Sequence, residues 1–413
     1  DPDIVTVTPD IEFIGSTQTS RSVSASVDFR MDTMFMNMMG VDSLVGYADS
    51  SAAEGQQLLE IALVLDISGS MGDNSKLENM KSAAKEFITT MITNNGQDRV
   101  SISIIPYNHQ VHLDDELMSR INWDARTVNV TGTSGTNMHP GAITQYQTYD
   151  ASAPCAAFDT NDFRTRRLAD TDAIDSPAFF SDGSNRVRYG DIASPRARQY
   201  WCGSYYPTMI VYQNDETTLH NYIDGLSADG WTAIDYGMNW AVGVLDPSFE
   251  PIVTHMVDNN VLDEQMRGHP VRYDNIEVMK YVVLMTDGVN TLQADLKDQY
   301  KAGPTRIWHS DSLANGDEYD GYLVEMPNNP ASQRWYVPGS PSTTWDDSYL
   351  AESAIPSDAF QWDFHQLYER FRTDNVANYF FQHSDAAAYN EYRNVVDETG
   401  YGTADTNLRA ICD

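Results

Sequence analysis

The chain has 413 residues, with 60 Asp and Glu against 26 Lys and Arg, a formal net charge of −34 and a pI near 4.3. Its length exceeds one simple core and implies several units or one domain with large insertions. Such a charge excludes nucleic acid as a partner, because phosphate repulsion would dominate, and disfavours anionic lipid surfaces. No stretch has the roughly 20 apolar residues that a membrane-spanning helix needs. A membrane is therefore expected to be reached only through a segment absent from this chain, which opens on Asp1 rather than Met.

Residues 1–55 read as a β-rich region. In Ser22–Phe29, Val23, Ala25, Val27 and Phe29 alternate with Ser22, Ser24, Ser26 and Asp28, the pattern of a half-buried antiparallel strand. The Met-rich patch Met34–Met39 is expected to pack as adaptable core, with an exposed contact surface as the alternative. Leu58–Gly72 (LLEIALVLDISGSMG) then runs apolar and ends abruptly in Asp66-x-Ser68-x-Ser70. A near-continuous apolar strand suits a parallel sheet buried on both faces. Ser75-x-x-Glu78 has the form of a capping box for a helix whose Leu77, Met80, Ala84, Phe87, Ile88 and Met91 share one face. Asn95-Gly96 ends that helix, and Arg99–Tyr107 is the next strand of a βαβ unit with an expected right-handed crossover.

Residues 113–216 lose periodicity and read as an inserted, loop-rich subdomain. They hold Cys155 and Cys202, a candidate disulfide that leans towards an oxidising compartment, whereas Cys412 has no evident mate. Helices are expected at Glu216–Leu226 and Thr232–Leu245, and a buried strand at Ile276–Met285 closed by Thr286-Asp287-Gly288. Residues 292–357 read as a second loop-rich insertion, and 358–413 as C-terminal helices around Asp358–Phe371, Ser384–Glu398 and Thr403–Cys412, with Ser384 as a cap. The segments 56–112 and 217–291 together form the expected α/β core: a doubly wound, mostly parallel, Rossmann-like sheet flanked by helices.

Three loops of that core reach one sheet edge, carrying Asp66, Ser68 and Ser70, then Thr232, then Asp287. Ligands bind at the carboxyl ends of strands in such sheets. Two carboxylates and three hydroxyls are hard oxygen donors, which favour a divalent cation, Mg²⁺ first with Ca²⁺ or Mn²⁺ as alternatives, over zinc or copper. Neutral hydroxyl ligands leave charge on the cation, and an Asp or Glu of another molecule can fill a remaining position. Asp73 and Asp235 read as solvated or helix-start charges. His109 and His112 read as ordinary loop histidines, and Asp159–Asp172 and Asp311–Asp320 as hydrated acidic loops.

D-I-S-G-S, the later Thr and T-D-G together resemble the metal-ion-dependent adhesion site (MIDAS) of von Willebrand factor type A domains. Thr232–Trp240 with Leu245-Asp246-Pro247, and the N-terminal strand region followed by LEIALVLDISGSMG, are similar to bacterial TadG-like proteins of tight-adherence (Tad) pili. The resemblance covers most regular segments from about 20 to 295 and the helix ending in LRAICD, and neither long irregular stretch. It implies a von Willebrand A fold with Asp66, Ser68, Ser70, Thr232 and Asp287 as the metal set, the second Asp acting through water. Two departures stand out. Relatives begin with a membrane-spanning helix, and they carry further strands after the segment matching Thr403–Cys412, where Cys412 would find its partner. A sheet lacking those strands has an open edge that invites pairing.

The expected function is that of a bacterial pilus-associated adhesion protein, extracellular or at the cell surface and possibly periplasmic, which binds a protein partner's carboxylate through its cation. The alternative is a structural subunit of a surface filament or layer, a homo-polymer joined through the metal or the open edge. An enzyme is not expected: the sequence has no nucleophile elbow, HExxH or phosphate loop.

Overall fold

The computed structural model describes residues 4–14, 17–32, 39–40, 42–55, 57–121, 127–128, 146–147, 155–158, 160–165, 174, 206–291, 293–301, 303–314, 321–339, 347–398 and 401–412. Near the N-terminus β1 (Ile4–Ile14), β2 (Thr17–Asp32) and β3 (Ser43–Gly55) form an antiparallel sheet in that order. The alternation read in Ser22–Phe29 runs on through β2, where Val27 lies opposite Val5 and Ala48. Met39 is 78% exposed, so the end of the Met-rich patch is surface and not core; its residues 34–38 lie outside the described residues.

The next elements build the sheet that positions the site. They are β4 (Leu58–Asp66), α1 (Lys76–Asn95) and β5 (Val100–Tyr107). A short helix α2 (Asp115–Met118) and the two-residue pair β6 (Thr127–Val128) and β7 (Tyr146–Gln147) follow. The sheet resumes with β8 (Ile210–Gln213), α3 (Glu216–Asp224), α4 (Ile234–Leu245), α5 (Glu250–Asp258) and β9 (Val278–Met285). Its order is β8-β5-β4-β9. Leu63 pairs in parallel with Ile104 on one side and Val283 on the other, while β8 runs antiparallel to β5.

Burial on both faces explains the unbroken apolar run of β4, every residue of which is buried. Leu59, Ile61, Leu63 and Leu65 share a cluster with Met80, Ala84 and Ile88 of α1 and with Leu219 and Ile223 of α3. Ala62 and Val64, on the other face, join Trp240, Ala241 and Val244 of α4 and Ile252, Val253 and Met256 of α5. Phe158, Phe163 and Ile174 add to this second cluster, so parts of the 113–216 stretch pack against the core; most of that stretch lies outside the described residues.

The start of α1 differs from the capping box read in the sequence. Ser75 sits at φ 58°, a left-handed conformation, and its side chain makes no capping hydrogen bond. Asn74 before it is also left-handed, so the chain enters the helix through a tight turn that takes the hydroxyl away from the first amides. The other end is as expected: Gly96, at φ 92°, donates its N–H to the Ile92 carbonyl.

A second unit replaces the loop-rich reading of 292–357. Strands β10 (Ala294–Leu296), β11 (Pro304–His309), β12 (Tyr322–Glu325), β13 (Trp335–Val337), β14 (Ser348–Leu350), β15 (Phe360–Asp363) and β16 (Val396–Glu398) form an antiparallel five-stranded sheet, β14-β13-β12-β11-β15, and a β10–β16 pair. Helices α6 (Phe364–Arg370), α7 (Thr373–Val376) and α8 (Ala386–Tyr392) close over Tyr322, Trp362, Tyr368, Phe371 and Phe380. Short strands that bury aromatics give no long periodic signal, which hid this sheet. Asp385, not Ser384, caps α8, and Glu398 belongs to β16 rather than to that helix. The last helix, α9 (Tyr401–Cys412), lays Leu408 and Ile411 against the α4 cluster.

Gly237 sets how closely α4 approaches the sheet. A Cβ there would lie 2.8 Å from Tyr107 Cδ1 and 2.8 Å from Val64 Cγ1. Helix propensity favours Ala over Gly by about 1 kcal/mol, but overpacking costs about 1–3 kcal/mol. Gly237→Ala is therefore expected to lower the urea midpoint, and a raised midpoint would show that the contact yields freely.

Candidate metal centre

β4 carries two carboxylates with no solvent exposure, one near each end. At the amino end, Glu60 Oε1 accepts from His269 Nδ1 at 2.7 Å and from the Val271 amide at 2.7 Å, while Oε2 pairs with Lys280. Burial pushes the Glu60 carboxyl up, but His269 and Lys280 more than offset it and hold it below the usual range. Asp66, at the carboxyl end, has only neutral partners. Its Oδ1 accepts from the Ser68 amide at 2.8 Å and its Oδ2 from Thr286 Oγ1 at 2.7 Å. No Lys or Arg of the described residues forms an ion pair with it. Burying a carboxylate without an ion-pair partner is costly, which sets Asp66 apart from Glu60 on the same strand.

The other expected donors gather around that carboxylate. Ser70 Oγ donates to Asp287 Oδ1 at 2.9 Å, which leaves Ser68 Oγ as donor in its 3.2 Å contact with Ser70 Oγ. Both protons thus point along the chain Ser68–Ser70–Asp287, which leaves a free lone pair on each hydroxyl. Asp287 Oδ2 accepts from Lys76 Nζ at 2.6 Å. Burial raises the Asp287 carboxyl, yet the hydrogen bonds from Lys76 and Ser70 keep it below its ordinary value. Asp66, Ser68 and Thr232 are buried, whereas Ser70 is exposed and Asp287 half-buried.

Backbone bonds fix the three loops together. The Gly69 amide donates to the Gly230 carbonyl and the Asp229 amide to the Ile67 carbonyl, each at 2.8 Å. Gly230, at φ 83°, has no room for a Cβ, which would collide with His109 Nδ1. Thr232 is held by its amide, donating to Thr291 Oγ1 at 2.7 Å, and by its carbonyl, accepting from the Thr291 amide at 2.6 Å. The Ile234 amide donates to Asn290 Oδ1 at 2.8 Å. Thus Asp66, Ser68, Ser70 and Asp287 are joined by side-chain contacts, and Thr232 lies on the loop bound to theirs. Among the described residues no three His, Cys, Asp or Glu gather as metal ligands. The donor set here is two carboxylates and three hydroxyls, which fits Mg²⁺, Mn²⁺ or Ca²⁺ by hardness.

Sequence reasoning missed Thr286, Lys76, Asn290 and Thr291. Thr286 stands in the T-D-G turn itself, and Lys76 is the first residue of α1, so both had a positional signal. His109 and His112 lie buried in the loop after β5, His109 against Gly230. Asp235, in the first turn of α4, is fully buried and accepts from Asn407 Nδ2 of α9 at 3.3 Å, so it is not a solvated charge. Cys155 is disulfide-bonded and Cys412 is a free, exposed thiol; Cys202 lies outside the described residues. In the acidic loops, Phe163 is buried in a short turn and Asp311 opens another, while 166–172 and 315–320 lie outside the described residues.

No protein-family model matches the chain, and no curated protein does. Among solved structures it is similar to the von Willebrand factor domain of the type V pili tip protein Mfa5 from Porphyromonas gingivalis, at 12% identity over 75% of this chain and 64% of that one, TM-score 0.24. It is similar to the PilB minor pilin from Streptococcus sanguinis at 11% identity, covering 94% and 62%, TM-score 0.23. A von Willebrand factor type A protein from Catenulispora acidiphila follows at 8% identity, covering 94% and 78%, TM-score 0.20. The chain spans less than two thirds of the Mfa5 and PilB structures. Likenesses at this level carry no weight for the site, which rests on the contacts above.

Burial holds the Asp235 carboxyl up at about 7, against about 3.9 in an unfolded chain. Between those values the folded state binds more protons than the unfolded one, so stability falls as pH rises from about 4 to 7. Asp235→Asn removes that loss. Its urea midpoint is expected to exceed that of the wild type at pH 8 and to converge with it near pH 4; equal gaps at both would contradict the assignment.

Proposed function

We propose that this chain is an extracellular, cation-dependent adhesion protein with a von Willebrand A-type, doubly wound unit, and that Asp66, Ser68, Ser70, Thr232 and Asp287 hold the cation. The observation that carries the reading is the buried Asp66 carboxylate, which has neutral partners only and sits beside two aligned seryl hydroxyls. A bound divalent cation supplies an electrophilic position for an Asp or Glu of a protein partner. The residues around it orient donors and keep the floor dry, while the exposed Ser70 side admits the partner. This is recognition rather than turnover. The disulfide at Cys155 accords with an oxidising compartment. Among the described residues no helix is long and apolar enough to cross a membrane. The association with tight-adherence pili rests on the sequence resemblance.

A second reading is favoured by one observation. Among the described residues β9 ends the sheet, and Met279, Tyr281 and Leu284 along it are 37%, 42% and 38% exposed. Open edges of this kind accept another strand, which would make the protein a filament or layer subunit. Electron microscopy with and without EDTA separates the two: filaments that survive EDTA point to the edge, and filaments that dissolve point to the metal.

The primary test is Mn²⁺ titration calorimetry on the wild type and Asp66→Asn. The variant is expected to lose at least the roughly 10–100-fold that removal of a mere supporting partner costs a metal site. Equal affinity in both would overturn the assignment.

A further inference from the structure

Both oxygens of Asp287 are engaged within the chain, Oδ1 by the Ser70 hydroxyl and Oδ2 by the Lys76 ammonium. Lys76 Nζ also lies 3.5 Å from the Ser70 carbonyl, so one cation touches the loop after β4 and the loop after β9. Its position is unusual for helix stability. Lys76 is the first residue of α1, where the helix dipole disfavours positive charge. It is delivered there by two consecutive left-handed residues, Asn74 and Ser75, at φ 53° and 58°, a conformation that costs energy outside Gly. Neither feature helps the helix. Together they leave the ammonium beside Asp287.

We propose that Lys76 is the internal counter-ion of the metal centre: it neutralises Asp287, so that a bound divalent cation keeps net positive charge for an external carboxylate. The inference rests on the metal reading above. Lys76 makes its ion pair with Asp287 and attracts Asp66 and Asp73 at longer range; Asp66, Asp287 and Lys76 together leave one net negative charge, which cannot balance a divalent ion. Lys76 thereby trades metal affinity for avidity towards an acidic partner. Asp287 is held by Lys76 and Ser70 as a supporting carboxylate, in keeping with action through water.

Removing the ammonium has opposite effects on the two equilibria, a signature that a purely structural role would not give. In Lys76→Met the site gains net negative charge. Mn²⁺ is expected to bind on the order of tenfold tighter by calorimetry, the direction set by unscreening one charge a few ångströms away. Acetate, the probe carboxylate, is expected to bind the Mn²⁺ complex on the order of tenfold more weakly, read by its displacement of metal-bound water in proton relaxation. Lys76→Arg keeps the charge and is expected to keep both wild-type values. If Lys76→Met weakens Mn²⁺ binding, or leaves either equilibrium unchanged, the counter-ion role is overturned while the metal site stands. If the wild type takes up no Mn²⁺, the metal reading itself falls.

Discussion

The buried Asp66 carboxylate is the constraint around which the sheet end is organised. Glu60, six residues earlier on the same strand and equally buried, is met by His269, Lys280 and a backbone amide. The contrast is internal to one strand, so it cannot be laid to composition or to general acidity. The fold supplies basic partners to a buried carboxylate at one end and withholds them at the other. What it supplies at Asp66 instead are the Ser68 amide and the Thr286 hydroxyl, both neutral. The rigidity of β4, clamped between α1 and α3 on one face and α4 and α5 on the other, fixes that carboxylate before any ligand arrives. Preorganisation of this kind lowers the ordering cost of binding.

Legibility in the sequence followed the length of each signal. The run Leu58–Leu65 announced a strand buried on both faces because all its residues but Glu60 are apolar, without alternation, and the sheet confirms the cause, with helices packed on either side. Asp66, Ser68, Ser70 and Asp287 were readable since they fall where strands end, and strand ends are places that periodicity marks. The start of α1 was misread because a Ser and a Glu three residues apart carry no information about the φ of the Ser. The second unit was illegible for a related reason: strands of three to six residues, such as Trp335–Val337, are shorter than the window in which alternation can be counted. Asp235 looked like any helix-start acid; only the packing of α9 across α4 buries it.

The surplus of acid over base shapes how that site works. With a net charge of −34, the surface draws cations towards it and repels an acidic partner at long range, an effect that salt screens over about a nanometre. On the proposed reading, a partner carboxylate would have to be won at short range, by the centre itself. Lys76 is one of only 26 Lys and Arg residues, and on the proposed reading its place against Asp287 puts positive charge where the balance between metal and partner would be decided.

β9 links the two readings of function. Its carboxyl end runs directly into Thr286, which binds Asp66, and Asp287, which binds Ser70 and Lys76. Its outer side is the end of the sheet among the described residues. One edge of β9 is thus paired with β4, while the other is unpaired among the described residues, and Met279, Tyr281 and Leu284 along the strand are exposed. A strand added along that flank would restrain the backbone that aims Thr286 and Asp287, and a metal held by those residues would in turn steady the strand to which the newcomer pairs. On the assembly reading the edge and the cation are therefore coupled rather than rival devices, because a single eight-residue strand carries them both.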